Sequence, residues 1–124
     1  MNALELVGVS FAYGDRAVLT DFSLSAAPGQ AICLFGPSGC GKTTILRLIA
    51  GLEVPLKGTI RIQDRDVAAT PPRLRGVALV FQDLALWPHL SVEAHLDIVL
   101  KSTLKNRLER RDRVRSLINA CALE

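Results

Sequence analysis

Residues 31–51 read AICLFGPSGCGKTTILRLIAG, and Gly36–Thr43 within them fits G-x-x-x-x-G-K-[ST] without a mismatch. An apolar run, Ala31 to Phe35, precedes the glycines as a short buried strand would. A segment of helical pattern, Thr43 to Ala50, follows them and closes at Gly51. Strand, glycine loop and helix in that order are the setting in which the pattern works as a phosphate-binding loop. Gly36, Gly39 and Gly41 let the backbone curl so that successive N–H groups face one point, and the helix starting near Lys42 adds its positive dipole end there. Lys42 supplies a full charge for β- and γ-phosphates. Thr43 offers a hydroxyl to Mg²⁺, an ion that takes oxygen ligands and keeps several waters. Thr44 adds a donor, and Pro37, Ser38 and Cys40 complete the loop. The competing reading, a glycine-rich turn with an accidental lysine, does not account for the strand and helix patterns on either side.

The other 103 positions of the 124 place this loop in one domain at most, with 49% apolar residues for its core. The net charge of +3 comes largely from one late stretch: Lys101, Lys105, Arg107, Arg110, Arg111, Arg113 and Arg115. Leu104, Leu108, Val114, Leu117, Ile118 and Cys121 run through it at near-helical spacing, so it reads as a solvated helix face over an apolar seam. No aromatic residue is interleaved, and nucleic acid is not an expected partner. Cys33, Cys40 and Cys121 have neither metal nor disulfide spacing, which points to a reducing compartment. The N-terminus has no basic region followed by a long apolar core, so no signal peptide is expected. No apolar run reaches the ~18 residues of a membrane span.

Outward from the loop, Leu4 to Val9 and Ala17 to Ser25 read as strands around a turn at Tyr13-Gly14-Asp15. Pro28-Gly29 is a second turn. Pro55 to Gly58 turns into a strand at Thr59 to Gln63, and Pro71-Pro72 marks a loop. Val77 to Phe81 is a continuous apolar run, read as a buried strand. Ser91 is a candidate N-cap, with Glu93 in the first turn, for a helix to about Lys101. A last helix is expected over roughly Leu104 to Ala122.

Four features in this order resemble the nucleotide-binding domain of ABC transporters: Tyr13 in Phe-Ala-Tyr-Gly; the loop Gly36–Thr44; Gly51-Leu52-Glu53 with Pro55-Leu56-Lys57-Gly58-Thr59-Ile60; and Val80-Phe81-Gln82-Asp83 continuing into Leu86-Trp87-Pro88-His89-Leu90-Ser91-Val92. The last stretch looks most like ATPase subunits of bacterial importers for sugars, polyamines and inorganic ions. The resemblance implies an α/β P-loop NTPase fold of the ABC ATPase type. Its N-terminal part would comprise an antiparallel β subdomain and an incomplete parallel core sheet over about residues 1–90. The start of a helical subdomain would occupy about 91–124. It further implies ATP and Mg²⁺ as ligands. Tyr13 would stack on adenine, Lys42 would serve the phosphates, and Thr43 and Gln82 would serve the metal, with Gln82 also at the attacking water. The segment of Trp87 and His89 would face a transmembrane permease subunit, and a second nucleotide-binding subunit would complete a dimer. The location implied is cytoplasmic, peripheral on the inner face of the cell membrane. His89 and His95 read from the residues alone as surface side chains.

Other family motifs do not occur in these residues. There is no LSGGQ-like signature, no apolar run ending in Asp-Glu and no later switch histidine. Asp83 follows an apolar run, as a Mg²⁺-binding aspartate of P-loop enzymes would, but Gln82 intervenes and no Glu follows; the resemblance instead makes it part of the glutamine loop Val80-Phe81-Gln82-Asp83. A GTPase would need Asn-Lys-x-Asp, which is absent. The tail RVRSLINACALE resembles the helix before the signature, so the reading is an N-terminal portion of the domain. Such a portion would leave Ala31–Phe35 and Val77–Phe81 without their neighbouring strands and would lack a general base for hydrolysis. The alternatives are a truncated module that binds nucleotide or a membrane partner without turnover, and a non-functional fragment.

Overall fold

The computed structural model describes residues 2–83 and 86–121. The chain divides into two compact units, one running to Leu79 and the other starting at Val80.

The first unit holds β1 (Leu4–Tyr13), β2 (Arg16–Ala26), α1 (Lys42–Ala50), β3 (Lys57–Ile62) and β4 (Arg65–Asp66), followed by a 3₁₀ turn at Pro72–Leu74. The sheet order is β2-β1-β3-β4, and every neighbouring pair is antiparallel. Leu6, Val9 and Phe11 of β1 are all buried, although 6 and 9 fall on opposite faces of a regular strand. The register shifts between Leu6 and Val9, and Gly8 there has φ +59°. This bulge brings Val9 back to the core face and explains why the alternation in the sequence is loose. Gly58 packs beneath it: a Cβ at Gly58 would lie 2.5 Å from the Gly8 carbonyl oxygen.

The core joins Leu6, Val9, Phe11, Leu19, Ile60 and Val67 to Ile45 and Leu48 of α1. Ile45 and Leu48 are three residues apart and share the face that α1 turns to this core. Leu48 is fully buried, so its truncation to alanine is expected to cost about 2–5 kcal/mol. The two-residue connection to β4, Gln63-Asp64, has φ +50° and +60°. A tight hairpin turn demands those angles, usually from Asn-Gly or Asp-Gly. The absence of that dipeptide hid β4 from the sequence.

Ala31–Phe35 and Val77–Phe81 are not strands, contrary to the sequence reading. Neither enters a ladder, and no parallel ladder occurs among the described residues. Phe35 is 88% exposed and Val80 is also open to solvent. An apolar run becomes a buried strand only when neighbours cover its edges and faces.

The second unit contains α2 (Val92–Leu100) and α3 (Arg107–Ala120). The Ser91 hydroxyl accepts from the Ala94 amide, the cap read from the sequence. Asn106 caps α3 in the same way, through the Leu108 amide. Arg110 is buried between the helices, donating to the Asp97 carboxylate and to the Leu104 carbonyl. That hydrogen bond holds the Asp97 carboxyl below its ordinary range; partial burial works against it, and the charges of Arg110 and Lys101 add to it. Among the described residues, no helix is long and apolar enough to cross a membrane.

Candidate functional site

Gly36–Gly41 forms an exposed loop that runs straight into α1, with only Gly41 buried. Gly39 and Gly41 have φ +80° and +99°, a left-handed conformation that glycine adopts without strain. Gly41 is also packed against β2: a Cβ there would lie 3.0 Å from Leu19 Cδ2. Gly36 lies beneath the Cys40 thiol, which a Cβ would approach to 2.7 Å. The glycine spacing therefore serves both chain direction and close packing.

The Lys42 ammonium folds back across the loop. It donates to the carbonyls of Gly36 at 2.8 Å and Pro37 at 2.7 Å, and lies 3.5 Å from Cys40 Sγ. No side chain caps α1, and its first turn holds no acidic residue. Among the described residues, the amides of Gly39, Gly41, Lys42, Thr43 and Thr44 have no hydrogen-bond acceptor. The Cys40 amide makes a long bond, 3.4 Å, to the Pro37 carbonyl. Free amides, the helix dipole and a tethered ammonium together favour a multiply charged anion. Thr43 is exposed beside them, whereas Thr44 is 7% exposed.

The other end of α1 is held by a residue that the sequence reading missed. Arg75 is 5% exposed and donates to Leu48 O at 2.8 Å and Ile49 O at 3.2 Å. It also donates to Thr70 O and Ala68 O. These bonds satisfy helix-end carbonyls and place a cation at the negative end of the dipole. Burial lowers the Arg75 pKa from its usual value, and the charge of Asp66 offsets part of that. Nothing in Arg73-Leu74-Arg75 after the Pro-Pro turn marks this role in sequence.

Tyr13 closes β1 and is about half exposed. Its ring meets Phe11 edge-on at 4.8 Å, and its hydroxyl donates to Glu53 Oε1 at 3.1 Å. Glu53 in turn lies 4.0 Å from Arg47. The sequence reading did not assign Glu53 this part in orienting the ring.

In the second unit, Gln82 stands exposed in a turn, and His89 is exposed in another. Trp87 is half exposed, and its ring stacks on His95 at 5.5 Å. The Trp87 amide donates to His95 Nε2, and Nδ1 of the same ring donates to the Ser91 carbonyl. His95 is thus a tie within this segment as well as the surface residue the sequence suggested. Among the described residues, no group of three His, Cys, Asp or Glu could hold a metal ion.

Residues 19–124 match the ABC transporter family. The chain belongs to that family. This ABC transporter family member is 43% identical to the spermidine/putrescine import ATP-binding protein PotA of Frankia alni, over 98% of the chain and 27% of that protein. It is 41% identical to an sn-glycerol-3-phosphate import ATP-binding protein UgpC of Rhizobium johnstonii, over 99% of the chain and 35% of the relative. The chain thus spans about a third of the length of these curated relatives. Its fold matches a solved bacterial ABC transporter cassette in dimeric form with a TM-score of 0.83 and 25% identity, covering 98% of this chain and 58% of the cassette. A post-hydrolysis cassette dimer bound to ADP and phosphate matches with a TM-score of 0.82. The antiparallel sheet and the loop before α1 agree with the N-terminal part of this P-loop NTPase fold.

Proposed function

We propose that this chain holds MgATP at Gly36–Thr44, as the nucleotide-binding portion of an ABC importer ATPase. The observation that carries this reading is the Lys42 ammonium tied across a loop whose following amides have no acceptor. Pro37, Ser38 and Cys40 shape the loop; the amides of Gly39 to Thr44 and the Lys42 charge bind phosphate oxygens. Tyr13 offers an aromatic face to the base. The Thr43 hydroxyl serves Mg²⁺, and the family resemblance would give Gln82 the same ion. A hydroxyl ligand suits an ion held chiefly by phosphates and water. Bound Mg²⁺ supplies charge neutralisation at the β- and γ-phosphates.

In the assembled transporter, ATP binding and hydrolysis would be coupled to solute import on the inner face of the cell membrane. The segment of Trp87 and His89 would meet a permease subunit, with a second nucleotide-binding subunit completing the dimer. Trp87, half exposed and braced by His95, suits such a contact. Within these residues the function is binding without turnover. Phosphoryl transfer needs metal, water-positioning group and charge placed together, and no signature, Asp-Glu pair or switch histidine is present in the sequence.

The test is titration of the purified chain with a fluorescent ATP analogue. Lys42→Ala removes a charge-assisted contact of about 1.5–3 kcal/mol, so affinity should fall at least tenfold. Equal affinities would overturn the loop assignment. Phosphate release should match the Lys42→Ala blank; a Lys42-dependent rate near ~1 per second would overturn the reading of no turnover.

A further inference from the structure

Arg107, Arg111 and Arg115 recur every fourth residue along α3 and stand on one face of it. At 1.5 Å per residue, successive guanidinium attachment points are about 6 Å apart and the three span about 12 Å. All three are exposed, and among the described residues none forms a salt bridge. Arg110 differs, being buried and committed to Asp97 and Leu104. With Arg110, the three line an open groove of about 420 Å³ that also contains Glu93 and Asp97. Four positive charges against two negative leave the groove at +2, and Asp97 is already engaged by Arg110 and Lys101. Like charges at a spacing of four destabilise an isolated helix. Two such pairs, 107/111 and 111/115, are maintained here, offset in the groove only by Glu93 and Asp97.

We propose that this stripe docks an acidic protein segment whose carboxylates repeat at about 6 Å, as on a helix with Glu or Asp every fourth residue. The match is one of charge and spacing. A membrane surface fits less well, because such helices bury a broad apolar face and α3 exposes only Leu108 among its large apolar side chains. A single-stranded nucleic acid fits less well because α3 carries no aromatic residue for base stacking.

The probe is a fluorescein-labelled peptide of repeated Glu-Ala-Ala-Gln units, titrated into the full chain and followed by anisotropy. Binding should saturate and weaken at least tenfold when salt is raised from about 0.05 to about 0.5 M. The triple variant R107Q/R111Q/R115Q should lose at least tenfold in affinity, with its circular dichroism and MgATP binding unchanged. Single R111Q, the smallest perturbation, should lose about threefold. The control R73A/K105A/R113A removes the same charge from outside the stripe and should stay within about threefold of the unaltered chain. Equal losses in the two triple variants would reduce the effect to net charge and overturn the proposal. So would tighter binding, at the same salt, to phosphatidylglycerol vesicles or to oligothymidylate.

Discussion

Gly51 leaves the space that Arg75 fills: a Cβ at Gly51 would lie 2.5 Å from Arg75 Nε and 2.7 Å from Cζ. Gly51 also has φ +83°, so it ends α1 in the left-handed form while letting the guanidinium reach Leu48 O. Gly51→Ala adds backbone strain and displaces a buried, hydrogen-bonded cation. It should destabilise the chain by roughly 2–4 kcal/mol in urea unfolding followed by circular dichroism. Arg75→Met, which removes the donor to Ile49 O and leaves Leu48 O only the Gly51 amide, should cost a similar amount. A loss below about 0.5 kcal/mol in both would show that the helix end does not depend on this pair.

Tyr13 is oriented by Phe11 and Glu53, which leaves its ring half exposed. Tyr13→Phe keeps the aromatic face and should bind MgATP within about twofold of the unaltered chain. Tyr13→Ala should weaken binding by roughly 0.5–1.5 kcal/mol, about threefold to tenfold. If the two variants bind alike, Tyr13 is only part of the packing.

Cys40 is exposed, its thiol lies over Gly36, and the Lys42 ammonium is 3.5 Å away. Modification there would fill the loop that Lys42 spans. Maleimide should label Cys40 and abolish nucleotide binding, with MgATP slowing the labelling. Peptide mapping that finds equal labelling with and without MgATP would separate Cys40 from the nucleotide site. Cys33 and Cys121 are also exposed and provide internal references.

Asp97 gives the second unit an acid sensitivity. Its carboxyl is held below the ordinary range chiefly by the Arg110 hydrogen bond. The unfolded value is about 3.9, so the stabilisation is fully present above that and is lost as pH falls through the lower folded value. Helical circular dichroism should therefore decline below about pH 4, beyond what the other carboxylates cause. Asp97→Asn should remove this part of the profile. Superimposable acid titrations of the two proteins would show that the Arg110–Asp97 pair does not stabilise the helices.

The local elements of this protein were legible because their determinants are local. A glycine spacing, a lysine and a following apolar helix define the loop at Gly36–Thr43 within a single stretch. Ser91 announces α2 through its own hydroxyl, and Gly14 marks the hairpin of β1 and β2. What depends on distant partners was not legible. Arg75 acts on α1 from 27 residues away at Leu48. Glu53 meets Tyr13 across 40 positions. The bulge at Gly8 depends on strands on both sides, and β4 rests on a turn of unusual composition. Ala31–Phe35 shows the same division in reverse. Its composition suits a buried strand, but burial and ladder bonds come from neighbouring segments, so tertiary structure alone decided that it is unpaired and, apart from Leu34, exposed.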